Sequence, residues 1–252
     1  MAKSFSKLRD YCVLEMSLVV SVVFSAYLYS SYSIKNERLQ EDNRILKQNN
    51  AVLQLPKQIE ESKFLLRTHM GSKIHSFFIN YSTYHKYREQ IHSIDGVFDY
   101  AKFVTYEDKD IKKIATKITK GAKTPEEKAR RIEKFVHRNV VYDNSVEKYF
   151  DHVKFPIETL IEKNGDCEDM AILETALLKA AGLDAVLITF PRGLREEDIA
   201  HVGVGIDGNF TGYSFPDKGK NYYFDEPTGV NSPIGKIDPI YKKSLFQIVK
   251  PK

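Results

Sequence analysis

Three residue types that together can carry out covalent catalysis occur in order along this chain. Cys167 is followed by His201 and then by two adjacent acids, Asp225 and Glu226. A thiol can attack a carbonyl carbon, an imidazole can take the thiol proton, and a carboxylate can hold the imidazole in the required tautomer. The order predicts a nucleophile, a base and an orienting acid, although a lone cysteine or histidine is more often structural.

The residues around Cys167 predict a helix that begins at the cysteine. Asp166 can cap its first turn, the apolar residues 170–181 continue it, and Gly182 ends it. Backbone amides and the helix dipole at this end stabilise a thiolate and can bind a developing oxyanion. We therefore expect Cys167 to lie on the first turn with a lowered pKa.

Three strands are predicted after this helix, and they carry the histidine and the acids. Residues 184–190 form a continuous apolar run, residues 200–206 alternate about His201, and residues 221–224 lead into the acid pair. Neighbouring side chains of a strand point to opposite faces, so only one of the two acids can contact His201.

Two further helices are predicted before the cysteine. Residues 107–120 show a helical apolar pattern, and Thr124 can cap a second helix with Pro125 first and Glu127 closing a capping box. This second helix is expected to run to about Asn139. Its core-facing residues are Ala129, Ile132, Phe135 and Val136.

The composition excludes several classes of protein. The chain has 252 residues, of which 42% are hydrophobic and 29% charged, as in globular proteins. Its 38 basic and 34 acidic residues give a net charge of +4 without a basic stripe, so we expect no nucleic-acid partner. Two cysteines, Cys12 and Cys167, exclude a disulfide framework.

The N-terminal region is predicted to anchor the chain in a membrane. Residues 16–34 carry no charge, and a helix of that length spans roughly 28 Å. We expect a tail over residues 1–10 and a single-pass anchor over residues 11–34, with a cleaved signal peptide as the alternative. Basic residues on both sides leave the orientation open. We favour an extracytoplasmic domain at the cell membrane, because long domains translocate largely regardless of charge.

Residues 35–56 are predicted to form a helical stalk. Leu39, Leu46 and Leu53 repeat every seven residues, and Pro56 ends the pattern. A small-residue face within the anchor repeats every four residues, at Ser17, Ser21 and Ser25. Both patterns favour a homodimer, and a single solvated helix is the alternative to a coiled coil.

The remaining chain is divided into a connecting region and a catalytic domain. Residues 57–105 carry no motif and are predicted to be helical or irregular, and residues 106–252 are predicted to form the domain. The histidines of the connecting region lack metal-ligand spacing and are interpreted as ordinary residues: His69, His75, His85 and His92.

Several strings around the candidate residues resemble the transglutaminase-like cysteine peptidase superfamily, over about residues 110–240. They are PIETL at 156–160, GDCED at 165–169, HVGVG at 201–205 and YYFDEPT at 222–228. The resemblance implies an α+β fold with a papain-like, transglutaminase-like core, in which the cysteine helix packs on an antiparallel sheet. It also implies a Cys-His-Asp/Glu triad that acts on amide bonds, and no cofactor.

The resemblance also bears on the acid and on the pocket. The acid of the family commonly stands two residues before a threonine, as Glu226 does before Thr228, so Glu226 is preferred. A register shift at Pro227 would bring in Asp225 instead. The chain has no tryptophan, which is common near this active site, so the pocket and the second oxyanion donor stay open; Asn164 and Tyr142 are candidates by proximity.

These observations predict a membrane-anchored cysteine hydrolase or acyltransferase that acts on amide or peptide bonds. Its expected substrate is an envelope protein or a peptide-crosslinked envelope polymer, a choice that follows from the predicted location. The alternative is a non-catalytic peptide-binding module on a dimeric membrane stalk.

Overall fold

The computed structural model describes residues 63–70, 73–143, 152–190, 200–229 and 232–251. All of them belong to the second of two units into which the chain divides, Pro56–Lys252. Within these ranges, no helix has both the length and the apolar character needed to span a bilayer. The predicted tail, anchor and stalk lie outside the described residues and stay predictions.

Helices and strands alternate irregularly along the described chain. The helices are α1 (Tyr81–Arg88), α2 (Lys109–Thr119), α3 (Pro125–Asn139), α4 (Pro156–Glu162) and α5 (Cys167–Ala180), with two 3-10 helices at Val97–Phe103 and Tyr241–Lys243. The strands are β1 (Lys63–Met70), β2 (Lys73–Asn80), β3 (Val141–Tyr142), β4 (Asn164–Gly165), β5 (Ala185–Phe190), β6 (His201–Asp207), β7 (Ser214–Asp217), β8 (Lys220–Asp225) and β9 (Gln247–Val249).

Five strands form an antiparallel sheet in the order β7-β8-β6-β5-β9. β5 pairs with β6 so that Phe190 lies opposite His201, and β6 pairs with β8 so that Val204 lies opposite Asp225. This register brings the start of β6 beside the end of β8. The predicted histidine and acids therefore come together at one end of the sheet.

The cysteine helix α5 packs on β5 and β6 and is covered by α2, α3 and α4. Its residues from Glu168 to Leu178 are all buried, which explains why apolar residues occur on every side of it. The predicted α+β arrangement, with the cysteine helix on an antiparallel sheet, is confirmed. A helix held on all sides is a rigid support for the residue at its first position.

The two faces of the sheet belong to different apolar clusters. Val202 and Val204 pack with the helices, whereas Phe190 and Phe224 belong to a cluster on the opposite face. Because side chains alternate along a strand, His201 points to the face opposite Val202.

The predicted helices before the cysteine are confirmed as α2 and α3. The Thr124 hydroxyl accepts the Glu127 amide at 3.1 Å, as predicted for the cap. The Glu127 carboxylate, however, accepts the amide of Lys123 at 2.8 Å, one residue before the predicted partner.

Residues 63–105 differ from the predicted helical or irregular connecting region. β1 and β2 form an antiparallel hairpin with Leu65 opposite Phe78. Leu66 and Phe77 on its inner face are buried in the same apolar cluster as the helices, so the hairpin is part of the domain. These strands could not be recognised from the sequence, because the exposed residues Leu65 and Phe78 are apolar and break the alternation of apolar and polar residues.

Candidate active site

Cys167 occupies the first position of α5, where the sequence predicted it. Asp166 caps the helix by accepting the Asp169 amide at 3.3 Å. Asp169 is buried and accepts the Lys154 amide at 2.7 Å, which ties the preceding loop to the helix. A Cβ atom on Gly165 would lie 2.7 Å from the Cβ of Asp169, so this position requires glycine. Much of the GDCED string is therefore explained by the packing of this helix start.

The thiol of Cys167 is held in its neutral form. Its Sγ donates a hydrogen bond to Oε2 of Glu168 at 3.1 Å. Burial raises the pKa of Cys167, the carboxylates of Glu168 and Asp166 raise it further, and a hydrogen bond from the Val202 amide acts in the opposite direction. The pKa of Cys167 therefore shifts in the direction opposite to the predicted lowering, because burial and two acids raise it.

His201 and Glu226 form the closest contact between predicted site residues. The imidazole Nε2 lies 2.7 Å from Oε2 of Glu226, and both side chains are largely buried. The cysteine approaches the same strand, since the Val202 amide that contacts its sulfur belongs to the residue after His201. The structure thus brings together the thiol-bearing helix start, the imidazole and one acid.

The carboxylate of Glu226 is fixed at both oxygens. Oε1 accepts the hydroxyl of Thr228 at 2.7 Å and its amide at 3.2 Å, while Oε2 faces His201. Burial opposes its charge, but the contacts with His201 and Thr228 outweigh burial, and the pKa of Glu226 lies below its usual value. An ionised, immobile carboxylate can orient the imidazole and stabilise its protonated form.

Asp225 lies on the other face of strand β8 and is fully buried. The structure places it beside Glu174 of α5 and Glu133 of α3, away from His201. Burial raises the pKa of Asp225 above its usual value. Of the two predicted acids, only Glu226 contacts the histidine.

Aromatic rings border the histidine and the thiol. Tyr241, from the C-terminal 3-10 helix, stacks on His201 with centroids 5.0 Å apart and planes 18° apart. Phe190 lies parallel to the same imidazole at 6.3 Å. Burial, followed by the nearby charge of Glu226, raises the pKa of Tyr241 to about 12, so its hydroxyl stays protonated.

The two residues considered as oxyanion donors differ in their surroundings. The Asn164 side chain is engaged, because its Nδ2 donates to Asp143 at 3.2 Å and its Oδ1 accepts Lys154 at 3.0 Å. Tyr142 is 41% exposed and lies near the thiol. Burial, together with nearby acidic groups, raises its pKa to about 12, so its hydroxyl is available as a donor.

One group in the described part of the chain offers three metal-ligand atoms within 4.8 Å of one another: His92, His152 and Glu158. The two imidazole rings are parallel to within 6° and stacked at 4.2 Å. An imidazole nitrogen binds a metal in its own ring plane, so one ion cannot lie in both planes. Glu158 instead contacts His92 at 2.9 Å and accepts the Phe155 amide at 2.8 Å, which makes the group a helix cap with a histidine–carboxyl hydrogen bond.

Sequence reasoning gave no role to three residues at or beneath this site. Glu168 holds the thiol, Tyr241 stacks on the histidine, and Glu174 faces Asp225. Glu174 could have been noticed as an acid within an apolar helix, seven residues after Cys167 and hence on the same face. No sequence signal pointed to Tyr241, which lies far along the chain.

Comparison with solved structures found distant likenesses, among them three candidate or named bacterial proteins. A candidate cysteine protease from Cytophaga hutchinsonii is 18% identical, with a TM-score of 0.39 over 65% of this chain and 50% of that one. A candidate protease from Parabacteroides distasonis is 14% identical, with a TM-score of 0.37 over 69% of this chain and 41% of that one. LapG of Legionella pneumophila, in an EGTA-treated form, is 17% identical, with a TM-score of 0.35 over 62% and 75% of the two chains.

Likenesses at this level are too distant to assign an activity, and the chain spans half or less of the first two structures. A comparison with curated proteins found no match. The family comparison is positive: residues 112–209 match the sequence model of the transglutaminase-like superfamily. This stretch includes Cys167 and His201 and ends before the acid strand. It confirms the resemblance seen in the sequence, and this part of the chain is a transglutaminase-like domain.

Proposed function

We propose that the protein is a cysteine hydrolase or acyltransferase that acts on amide bonds. Cys167 is the nucleophile, His201 the base and Glu226 the acid that orients His201. The observation that carries the proposal is the 2.7 Å contact between His201 Nε2 and Glu226, on the strand that also contacts the thiol. Because Glu226 engages Nε2, the nitrogen that takes the thiol proton is Nδ1.

The proposed reaction follows from these positions. Nδ1 of His201 takes the thiol proton as the sulfur of Cys167 attacks the carbonyl carbon, and the carbonyl oxygen receives the displaced electron pair. Backbone amides of the first turn of α5 and the Tyr142 hydroxyl are the donors for that oxyanion. The leaving amine takes the proton from His201 as the carbon–nitrogen bond breaks. Water or another amine then attacks the thioester and releases the thiol.

The resting thiol is neutral in this scheme. Its proton is shared with Glu168, and the raised pKa of Cys167 keeps the thiolate rare before substrate binds. The site therefore works by general-base catalysis at the moment of attack, and not from a standing thiolate–imidazolium pair. A neutral resting thiol is also less exposed to oxidation, since the thiolate is the reactive form.

The location of the enzyme belongs to the same proposal. Residues 11–34 anchor it in the cell membrane, residues 35–56 pair two copies, and the domain faces the cell envelope. Its substrates are then envelope proteins or a peptide-crosslinked envelope polymer. Protease protection of the full-length chain in sealed vesicles tests the orientation. Full protection in right-side-out vesicles, which expose only the outer surface, would contradict it.

A peptide-based thiol electrophile tests the chemistry. The full-length chain should be labelled at Cys167 far faster than a free thiol, and His201→Ala should remove that advantage. Tyr84→Phe, a matched change on α1 remote from the triad, should leave the rate unchanged. Labelling at the free-thiol rate in the unmodified protein would favour the non-catalytic peptide-binding alternative.

A further inference from the structure

Two carboxyl groups meet inside the protein beneath the proposed site. Glu174 of α5 and Asp225 at the end of β8 are both fully buried. Among the described residues, no hydroxyl, amine or guanidine donates to any of their four carboxyl oxygens, and the Glu226 amide is the backbone donor that approaches Asp225. Each group instead has the other as its hydrogen-bond partner. Two facing acids with no cation between them require an explanation.

A pair of this kind cannot hold two negative charges. A buried, unpaired carboxylate is strongly disfavoured, and two carboxylates that share a site raise each other's proton affinity. The other ionisable groups that face the pair are Glu133 and His137 of α3 and the neighbouring Glu226. Two of these three are acids, so the surroundings further raise the proton affinity of the pair. The pair therefore retains at least one proton, which one carboxyl donates to the other.

We propose that Glu174 is a positioning residue whose protonated carboxyl donates to Asp225 and so ties the helix of Cys167 to the strand end of Glu226. The positioning role rests on the proposed function, whereas the shared proton does not. Glu174 lies seven residues after Cys167, about 10 Å along the same rigid helix. Asp225 directly precedes Glu226, so the contact fixes the distance between the supports of the nucleophile and the acid.

The contact also gives the site a dependence on pH. Burial raises the pKa of both Glu174 and Asp225 above their unfolded values. The folded chain therefore binds more protons than the unfolded chain above about pH 4, and stability from this pair falls as pH rises toward the folded pKa values. Full ionisation would push α5 and β8 apart and loosen the geometry of the triad.

Replacing Glu174 with glutamine tests the proposal in the full-length chain. The amide of Glu174→Gln still donates to Asp225 but cannot ionise. We expect the melting temperature of this variant to gain on that of the parent as pH rises, by several degrees between about pH 6 and about pH 9. Glu162→Gln is the matched control, because the lowered pKa of Glu162 gives no alkaline dependence. A difference between Glu174→Gln and the parent that is the same at both pH values would overturn the shared proton.

A second variant and a spectroscopic measurement complete the test. Asp225→Asn should reduce the same alkaline loss, so it replaces Glu174→Gln if that variant does not fold. In the parent, the infrared absorption of protonated carboxyls should persist at about pH 7 and be weaker in Glu174→Gln. Equal absorption in both proteins would contradict the proposal.

The positioning role has its own measurement. Glu174→Leu, which removes the donor, should lower electrophile labelling at Cys167 severalfold near about pH 6, whereas Glu174→Gln, which keeps a donor, should label at the parental rate. Equal labelling in all three proteins would contradict positioning. If the parent labels only at the free-thiol rate, the proposed function fails, while the melting and infrared readings still decide the shared proton.

Discussion

The imidazole of His201 contacts Glu226 at 2.7 Å and makes no contact with the adjacent Asp225, although both acids stand at the end of the same strand. The strand's alternation explains the choice, since it turns Asp225 toward the helices and leaves Glu226 on the side of the imidazole. Thr228 completes the arrangement by holding the second oxygen of Glu226.

The first prediction separates the two acids. Glu226→Gln should lower activity on any confirmed substrate by orders of magnitude, because an amide keeps the shape but can hold the imidazole in the wrong tautomer. Asp225→Asn should have a mild effect near neutral pH. Steady-state rates of the two variants decide it, and the reverse pattern would move the role to Asp225.

The second prediction concerns the thiol proton. Burial, followed by the charge of Asp166, raises the pKa of Glu168 to about 8. Above that pH its carboxylate repels a thiolate, so Glu168→Gln should lower the pKa of Cys167 and speed alkylation by iodoacetamide, most strongly on the alkaline side. Each unit of pKa lowering corresponds to about tenfold more thiolate at a fixed pH below the pKa.

A pH profile of alkylation, with Glu162→Gln as the control, checks this expectation. Unchanged or slower alkylation in Glu168→Gln at every pH would show that Glu168 does not restrain the thiol.

The third prediction concerns the ring stacked on the histidine. Tyr241→Ala should release the imidazole and admit water to its contact with Glu226, and lower the labelling of Cys167 by a peptide electrophile. Aromatic pairs contribute about 0.5–1.5 kcal/mol, so a several-fold loss is expected. Tyr241→Phe keeps the ring and should retain the parental rate. Equal losses in both variants would assign the effect to the hydroxyl and not to stacking.

The fourth prediction concerns the stalk, which lies outside the described residues. The full-length chain should be a dimer in detergent, and a variant that lacks residues 1–56 should be a monomer. Sedimentation of both forms measures this directly. If both forms are monomeric, the stalk does not mediate dimerisation.

The sequence predicted the parts of the site that local chemistry determines. Asp166 as a cap, Cys167 at the helix start and His201 on a strand each follow from short-range patterns, and the structure has all three. The preference for Glu226 over Asp225 came from spacing to Thr228, and the structure places Glu226 against the histidine.

The rest depends on residues that meet only in the folded chain. The shift in the pKa of the thiol could not be predicted from the helix start alone, because burial and the orientation of Glu168 decide whether the pKa is raised or lowered. Tyr241 reaches His201 across a long separation in sequence, and Glu174 meets Asp225 through the packing of a helix on a sheet. The hairpin was missed because its exposed face carries apolar residues.

Acylation of Cys167 by an activated ester, followed by intact-mass spectrometry, tests the central claim most directly. The parent should acquire one acyl group at Cys167 in a rapid first turnover, Cys167→Ala should acquire none there, and His201→Ala should be acylated slower by orders of magnitude while its circular dichroism is unchanged. Acylation at equal rates in the parent and in His201→Ala would contradict the assignment of Cys167 and His201 as nucleophile and base.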